Sequence, residues 1–237
     1  MRSSFSVVKN LTILFFAGSA TALFATSTLP SCSTGSLASY ISLTANPPAT
    51  GGCAIGILDY FNFGYIPGTN APAASAIGVT PGGSGFSFGP VTAAVGQTVN
   101  FEIDYDTIID PAPVITGGDL GLDVTGTIVI TEYFCNDSSY IGNGLCLGSI
   151  PAQSLTVGTP GTGFPETNSI VFSKPATTSQ EVGIVFTLTG GTTGASFNGL
   201  DSEAVVVSSP EPASAGVVLL GLLTVAGGYG LKRRRRA

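Results

Sequence analysis

Three carboxylates, Asp104, Asp106 and Asp110, fall within seven residues, and a hard divalent cation draws on such groups for part of its about six to eight oxygen ligands. They are the calcium candidates of this sequence, with Asp119 and Asp123 a second place to look. The spacing is not that of an EF-hand, which needs an Asp-x-Asp-x-Asp-Gly run and a distal Glu. Asp104 and Asp106 lie two apart and so share a face of an extended segment. Two carboxyls on one face are also the acid and base of glycoside hydrolysis. A sugar-cleaving groove usually presents aromatic platforms, however, and the chain has no tryptophan. The expectation is acids on a solvated edge, with no resident metal or cofactor.

Other chemistry is narrowed by what is missing. There is no histidine, so Ser-His-Asp and Cys-His arrangements are excluded and the commonest zinc ligand is absent. Lys174 is the one amine of the body. Ser173 precedes it directly, but neighbours on a strand point to opposite faces, which places a Ser-Lys dyad badly. The glycine-rich stretches lack the lysine and the strand-to-helix setting of a phosphate loop. No catalytic residue is assigned. The four cysteines, Cys32, Cys53, Cys135 and Cys146, contain no Cys-x-x-Cys and read as two disulfides of an oxidising compartment. Sequence alone allows three connectivities; proximity pairs Cys32 with Cys53 and Cys135 with Cys146, and the turn residues Gly51-Gly52 and Gly142-Asn143-Gly144 let both short loops close.

Residues 26–209 hold thirteen acids against the single base Lys174, a net charge of −12 that the whole-chain value of −6 conceals. A body without arginine cannot neutralise phosphates, so nucleic acid is excluded as a partner. Acidity at this level serves solubility first.

The body must position these groups on strands, because no stretch has a convincing helical period. Residues 98–105 alternate cleanly, with Val99, Phe101, Ile103 and Tyr105 on one face. Residues 120–130 repeat the pattern through Gly126, read as a bulge or bend, and residues 181–189 place Val182, Ile184, Phe186 and Leu188 inward. Fainter candidates are 37–43, 55–65, 85–88, 169–173 and 203–208, while 67–85 reads as a long surface loop. About eight strands, each with one wet face, predict an all-β fold: an antiparallel β-sandwich over residues 23–208.

The two ends read as addresses. Arg2 and Lys9 precede an apolar stretch and a run of small residues, predicting a signal peptide over 1–22 cut after Ala22, with Ala20 completing the small-x-small pattern. Leu29-Pro30-Ser31-Cys32 loosely imitates a lipoprotein box that would acylate Cys32. At the other end stand Pro210, Glu211 and Pro212, then an uncharged run over 213–231, then Lys232, Arg233, Arg234, Arg235 and Arg236. As a helix the run spans roughly 28 Å, enough to cross a bilayer, and the basic cluster stops it on the cytoplasmic side.

This tail over 209–237 resembles the PEP-CTERM sorting signal of Gram-negative bacteria. The resemblance covers about an eighth of the chain. It implies recognition by a membrane-embedded exosortase that cuts near the motif, after export by the secretion machinery and anchoring through 213–231. It also implies release to the cell surface or an extracellular matrix, with exopolysaccharide or biofilm as the setting. The expected role is therefore structural and non-enzymatic. Two alternatives stand beside it: a secreted carbohydrate-binding module or hydrolase relative, with Tyr60, Tyr65, Tyr105 or Tyr133 lining a groove, and a permanently anchored single-pass envelope protein.

Overall fold

The computed structural model describes residues 29–43, 51–109, 114–159, 162–176 and 178–207. The signal segment, the sorting tail and Asp110 lie outside them.

From the start of the described chain, β1 (Gly35–Ser36) runs into a six-residue helix, α1 (Leu37–Ser42). Two hairpins follow, β2 (Cys53–Ile55) with β3 (Leu58–Pro67), and β4 (Gly78–Gly82) with β5 (Gly85–Gly89). Then come β6 (Val91–Ala93) and three long strands, β7 (Thr98–Ile109), β8 (Val114–Thr125) and β9 (Thr127–Asn136). A small excursion carries β10 (Leu145–Cys146) and β11 (Ile150–Pro151). The chain ends its described part with β12 (Gln153–Gly158), β13 (Thr167–Ala176), β14 (Ser179–Thr189) and β15 (Ala195–Val207).

These strands form two main sheets. One has the order β12-β9-β14-β7-β3-β2; the other runs β1-β4-β5-β15-β8-β13, with β6 also on β15. Every ladder between them is antiparallel. Their inner faces meet in one core, where Phe186 stacks between Phe101 and Phe197 at 4.3 and 5.6 Å. Nearer the other end, Phe86 packs edge-on against Tyr40, Tyr60, Phe63 and Tyr105. Full burial of each such ring contributes about 1.5–3 kcal/mol over leaving it exposed, so the alternation is what drives the sheets together.

The all-β antiparallel reading stands, and its details change. Fifteen strands occur among the described residues rather than about eight. Several that the alternation misses are only two or three residues long, too short to show a period. The alternation over 120–130 is not one bulged strand. Gly126, at φ +87°, is the corner where the chain leaves β8 of one sheet for β9 of the other. An ideal Cβ there would lie 2.5 Å from the Ala195 Cα and from the Gly194 carbonyl oxygen. The pattern survives the corner because Leu120, Leu122, Ile128 and Ile130 all face the same core.

Residues 37–43 are helical, not extended. Ser36 caps the helix: its hydroxyl accepts from the Ser39 N–H, and the Ser39 hydroxyl accepts in turn from the Ser36 N–H. That reciprocal box fixes the first turn, and the buried Leu37 and Tyr40 lie three apart, on one helical face. The 67–85 segment is also not surface loop throughout, since β4 crosses it and buries Val79, and Ile77 just before the strand is buried as well.

Both disulfides are closed, Cys32–Cys53 at 2.06 Å and Cys135–Cys146 at 2.03 Å. This is the pairing that proximity favours, and it suits a secreted or extracellular protein. Cys32, bonded to Cys53, has no free thiol to acylate.

Candidate functional site

The outer face of the six-stranded sheet concentrates the groups with unusual chemistry. β7 alternates Val99, Phe101, Ile103 and Tyr105 into the core, which turns Glu102, Asp104 and Asp106 outward. The register then sets their neighbours. Asp106 lies directly opposite Glu181 of β14 and Phe61 of β3, while Asp104 lies between Gly183 and Gly64. Residues directly opposite in an antiparallel pair have Cβ atoms about 4.5–5.5 Å apart, and like charges so placed repel.

Glycine makes room on both sides of Asp104. A Cβ on Gly64 would sit 2.4 Å from both carboxylate oxygens of Asp104, and one on Gly183 would sit 2.2 Å from the Tyr140 ring. Tyr140 comes from the segment that the Cys135–Cys146 bridge folds back over the sheet. Its ring stacks on Tyr133 at 5.9 Å, and its backbone N–H donates to Glu181 Oε2 at 2.8 Å. On the β3 side the strand bulges between Phe61 and Gly64. Asn62, at φ +53°, points its amide there and donates to Asp106 Oδ2 at 2.6 Å. A cavity of about 450 Å³ opens beside this arrangement, lined by Phe61, Asp106, Asp137, Ser139, Leu147 and Glu181 among others.

The acids here are hard to ionise. Burial pushes Glu181 up to about 7, helped by the negative charge of Asp106 and opposed by the Tyr140 N–H. Burial also lifts Asp104 to about 6, with Glu102 and Asp106 adding repulsion. Asp106 is raised by burial against the pull of its Asn62 hydrogen bond. Of these groups, Glu181 and Asp104 are the ones raised toward neutral pH.

The sequence candidates are only partly gathered. Asp104 and Asp106 do share one face, as their spacing predicts. No group of three or more His, Cys, Asp or Glu among the described residues is placed to hold a metal ion, and Asp110 is outside those residues. Asp119 joins Asp201 and Glu203 instead of Asp123, on the outer face of the other sheet, beside a cavity of about 550 Å³. Asp119 and Glu203 form a second directly opposed acidic pair. Ser173 turns away from Lys174: its hydroxyl donates to Gln153 Oε1 at 2.9 Å.

The tyrosines proposed to line a groove do not do so together. Tyr60 and Tyr105 are core residues, 1% and 4% exposed, with burial pushing both hydroxyls well above their ordinary value. Tyr65 donates to the Pro72 carbonyl, and Tyr133 is taken up by Tyr140. Sequence reasoning passed over Glu132 and Ser202, both 1% exposed between the sheets. The signal was available for Glu132, because it keeps the parity of the inward Ile128 and Ile130.

No protein-family model matches the chain, and no curated protein is similar enough to match. Among solved structures, the carbohydrate-binding module TmCBM61, solved in complex with β-1,4-galactotriose, is 15% identical with a TM-score of 0.35, over 60% of this chain and 88% of that one. The enzymatically active domain of tailspike protein 4 from bacteriophage CBA120 is 14% identical with a TM-score of 0.31, over 61% of this chain and 19% of that one.

Proposed function

We propose that this is an exported, non-enzymatic protein of the cell surface or extracellular matrix of a Gram-negative bacterium, processed at its C-terminal tail by an exosortase. The observation that carries the reading is the succession of three sequence features in the tail: Pro210-Glu211-Pro212, the uncharged run 213–231 and the basic cluster 232–236. Two features of the body support it. The disulfides belong to an oxidising compartment. The last described strand, β15, ends at Val207, three residues before Pro210, so a cut at the motif would remove no described strand. The glycan-acting alternative is not favoured by the site, since Tyr60 and Tyr105 are spent in the core.

Intact-mass measurement on membrane and extracellular fractions tests the proposal. The expected extracellular species ends near Pro210 and carries two disulfides. A chain still ending at Ala237 in every fraction overturns exosortase processing and leaves the permanently anchored reading.

A further inference from the structure

Glu132 belongs to neither outer face. It projects from β9 into the space between the sheets, 1% exposed. Its Oε1 accepts from the Ser202 hydroxyl of β15 at 2.5 Å, and the Ser202 oxygen is 2.9 Å from the Tyr105 hydroxyl of β7. Its Oε2 is buried without a hydrogen-bond partner. The strands paired with it place Leu155 of β12 and Ile184 of β14 alongside. The titratable groups facing it are Tyr105 and, from β3, Tyr60, with Glu203 of β15 acting on Tyr60 in turn. None of them is a base, and the body's one lysine, Lys174, lies exposed on β13.

A buried carboxylate without a cation loses its hydration with nothing to replace it, and the usual outcome is that the group stays neutral. We propose that Glu132 is a proton-binding latch between the two sheets: the sandwich closes on a protonated Glu132, takes up a proton when it folds at neutral pH, and is secured by external acidity. The latch is independent of how the tail is processed. Burial raises Glu132 to about 8 against the opposing Ser202 hydrogen bond, whereas in the unfolded chain a glutamate titrates near its ordinary value of about 4.3. Because the folded value is the higher one, the contribution is fully present below the unfolded value. It shrinks as pH rises toward the folded value and is flat beyond it. In that window one proton changes the folding equilibrium by up to about tenfold per pH unit.

Denaturant unfolding of the purified full-length chain, disulfides intact, across pH 4.5 to 9 reads this directly. The expected result is a wild-type equilibrium constant that falls with rising pH more steeply than that of Glu132→Gln, the difference approaching tenfold per unit. Equal slopes in the two proteins overturn the latch. If Glu132→Gln does not fold, Ser202→Ala serves instead. Removing the hydroxyl that steadies the ionised form should carry the decline to higher pH, and an unchanged window overturns the proposal.

Discussion

Removing the Cys135–Cys146 bridge as C135A/C146A should act on the acids of the outer face through the segment it holds down. The bridge closes a loop of sequence separation 11, for which the chain-entropy model gives about 3 kcal/mol of stabilisation through the unfolded state. Cys135 is fully buried and Cys146 is 5% exposed, so loss of the two sulfurs adds a packing cost to that figure. What remains to hold the segment over the acids is the Tyr133–Tyr140 stack, the Tyr140 N–H bond to Glu181 and the seat over Gly183, while Asp137 stays tied at its root, its N–H donating to the Ser179 carbonyl and its Oδ1 accepting from Thr178 and Ser179. An aromatic pair is worth about 0.5–1.5 kcal/mol beyond its area, less than the bridge supplies. With the bridge gone, the part of the segment beyond Asp137 should open more readily than the sandwich unfolds.

The consequence is electrostatic. Glu181 is raised to about 7 mainly because it is covered, and its bond from Tyr140 pulls the other way. Opening removes both effects, and the larger one decides the sign, so Glu181 should titrate closer to the ordinary carboxylate range. In the wild type a raised Glu181 contributes stability that is lost as pH climbs through about 7; the variant should show a shallower decline over the same window. Carboxyl NMR titration of Glu181 with amide exchange over 137–152 is the assay. Lost amide protection with Glu181 still titrating near 7 would refute the reasoning, because burial would then come from the sheet itself.

Gly183→Ala should unseat Tyr140 without touching the bridge, since its Cβ would lie 2.2 Å from the ring. A loss of about 1–3 kcal/mol is expected for such overpacking, and Tyr140→Ala in the same chain should recover part of it in a double-mutant cycle. Gly126→Ala combines a positive φ with a Cβ 2.5 Å from the Ala195 Cα. It should cost about 2–3 kcal/mol in urea unfolding, whereas a loss below about 0.5 kcal/mol would mean the corner relaxes freely. Phe186→Ala, fully buried between Phe101 and Phe197, should cost about 3–5 kcal/mol.

The strands that could be read from the sequence were those whose period the core enforces. Val99 to Tyr105 and Val182 to Leu188 alternate because every second residue meets the opposite sheet, and all eight inward residues are buried. What could not be read is what depends on partners far along the chain. Asp106 faces Glu181 only because β7 pairs with β14 in one register, and nothing within residues 98–109 specifies that register. The α1 segment was missed for a local reason: six residues with two apolar anchors fit a strand or a helix equally, and the Ser36–Ser39 cap decides. Glu132 marks the opposite failure. It lies two residues past the alternation read over 120–130, where its parity with Ile128 and Ile130 points inward although its charge does not.

Directly opposed acids recur on both outer faces, Asp106 with Glu181 and Asp119 with Glu203, in a body whose only base is Lys174. Arginine and lysine are how most sheets neutralise such pairs, and residues 26–209 have only Lys174 to give. Relief must then come from protons or from cations supplied by the surroundings. Where burial is deep, as at Glu132, or the acid is half-covered, as at Glu181, protons are the more favourable route, because a neutral acid needs no counterion. Where the face is open, as at the exposed Asp119 and Glu203, water and salt screen the repulsion. The same composition therefore meets two conditions according to depth: covered acids that protons relieve and exposed acids that solvent screens. A lysine placed opposite Glu203, as Asp119→Lys, should stabilise the sheet modestly at low salt and lose that gain at high salt. The same charge at Ile130, fully buried in the core, should prevent folding.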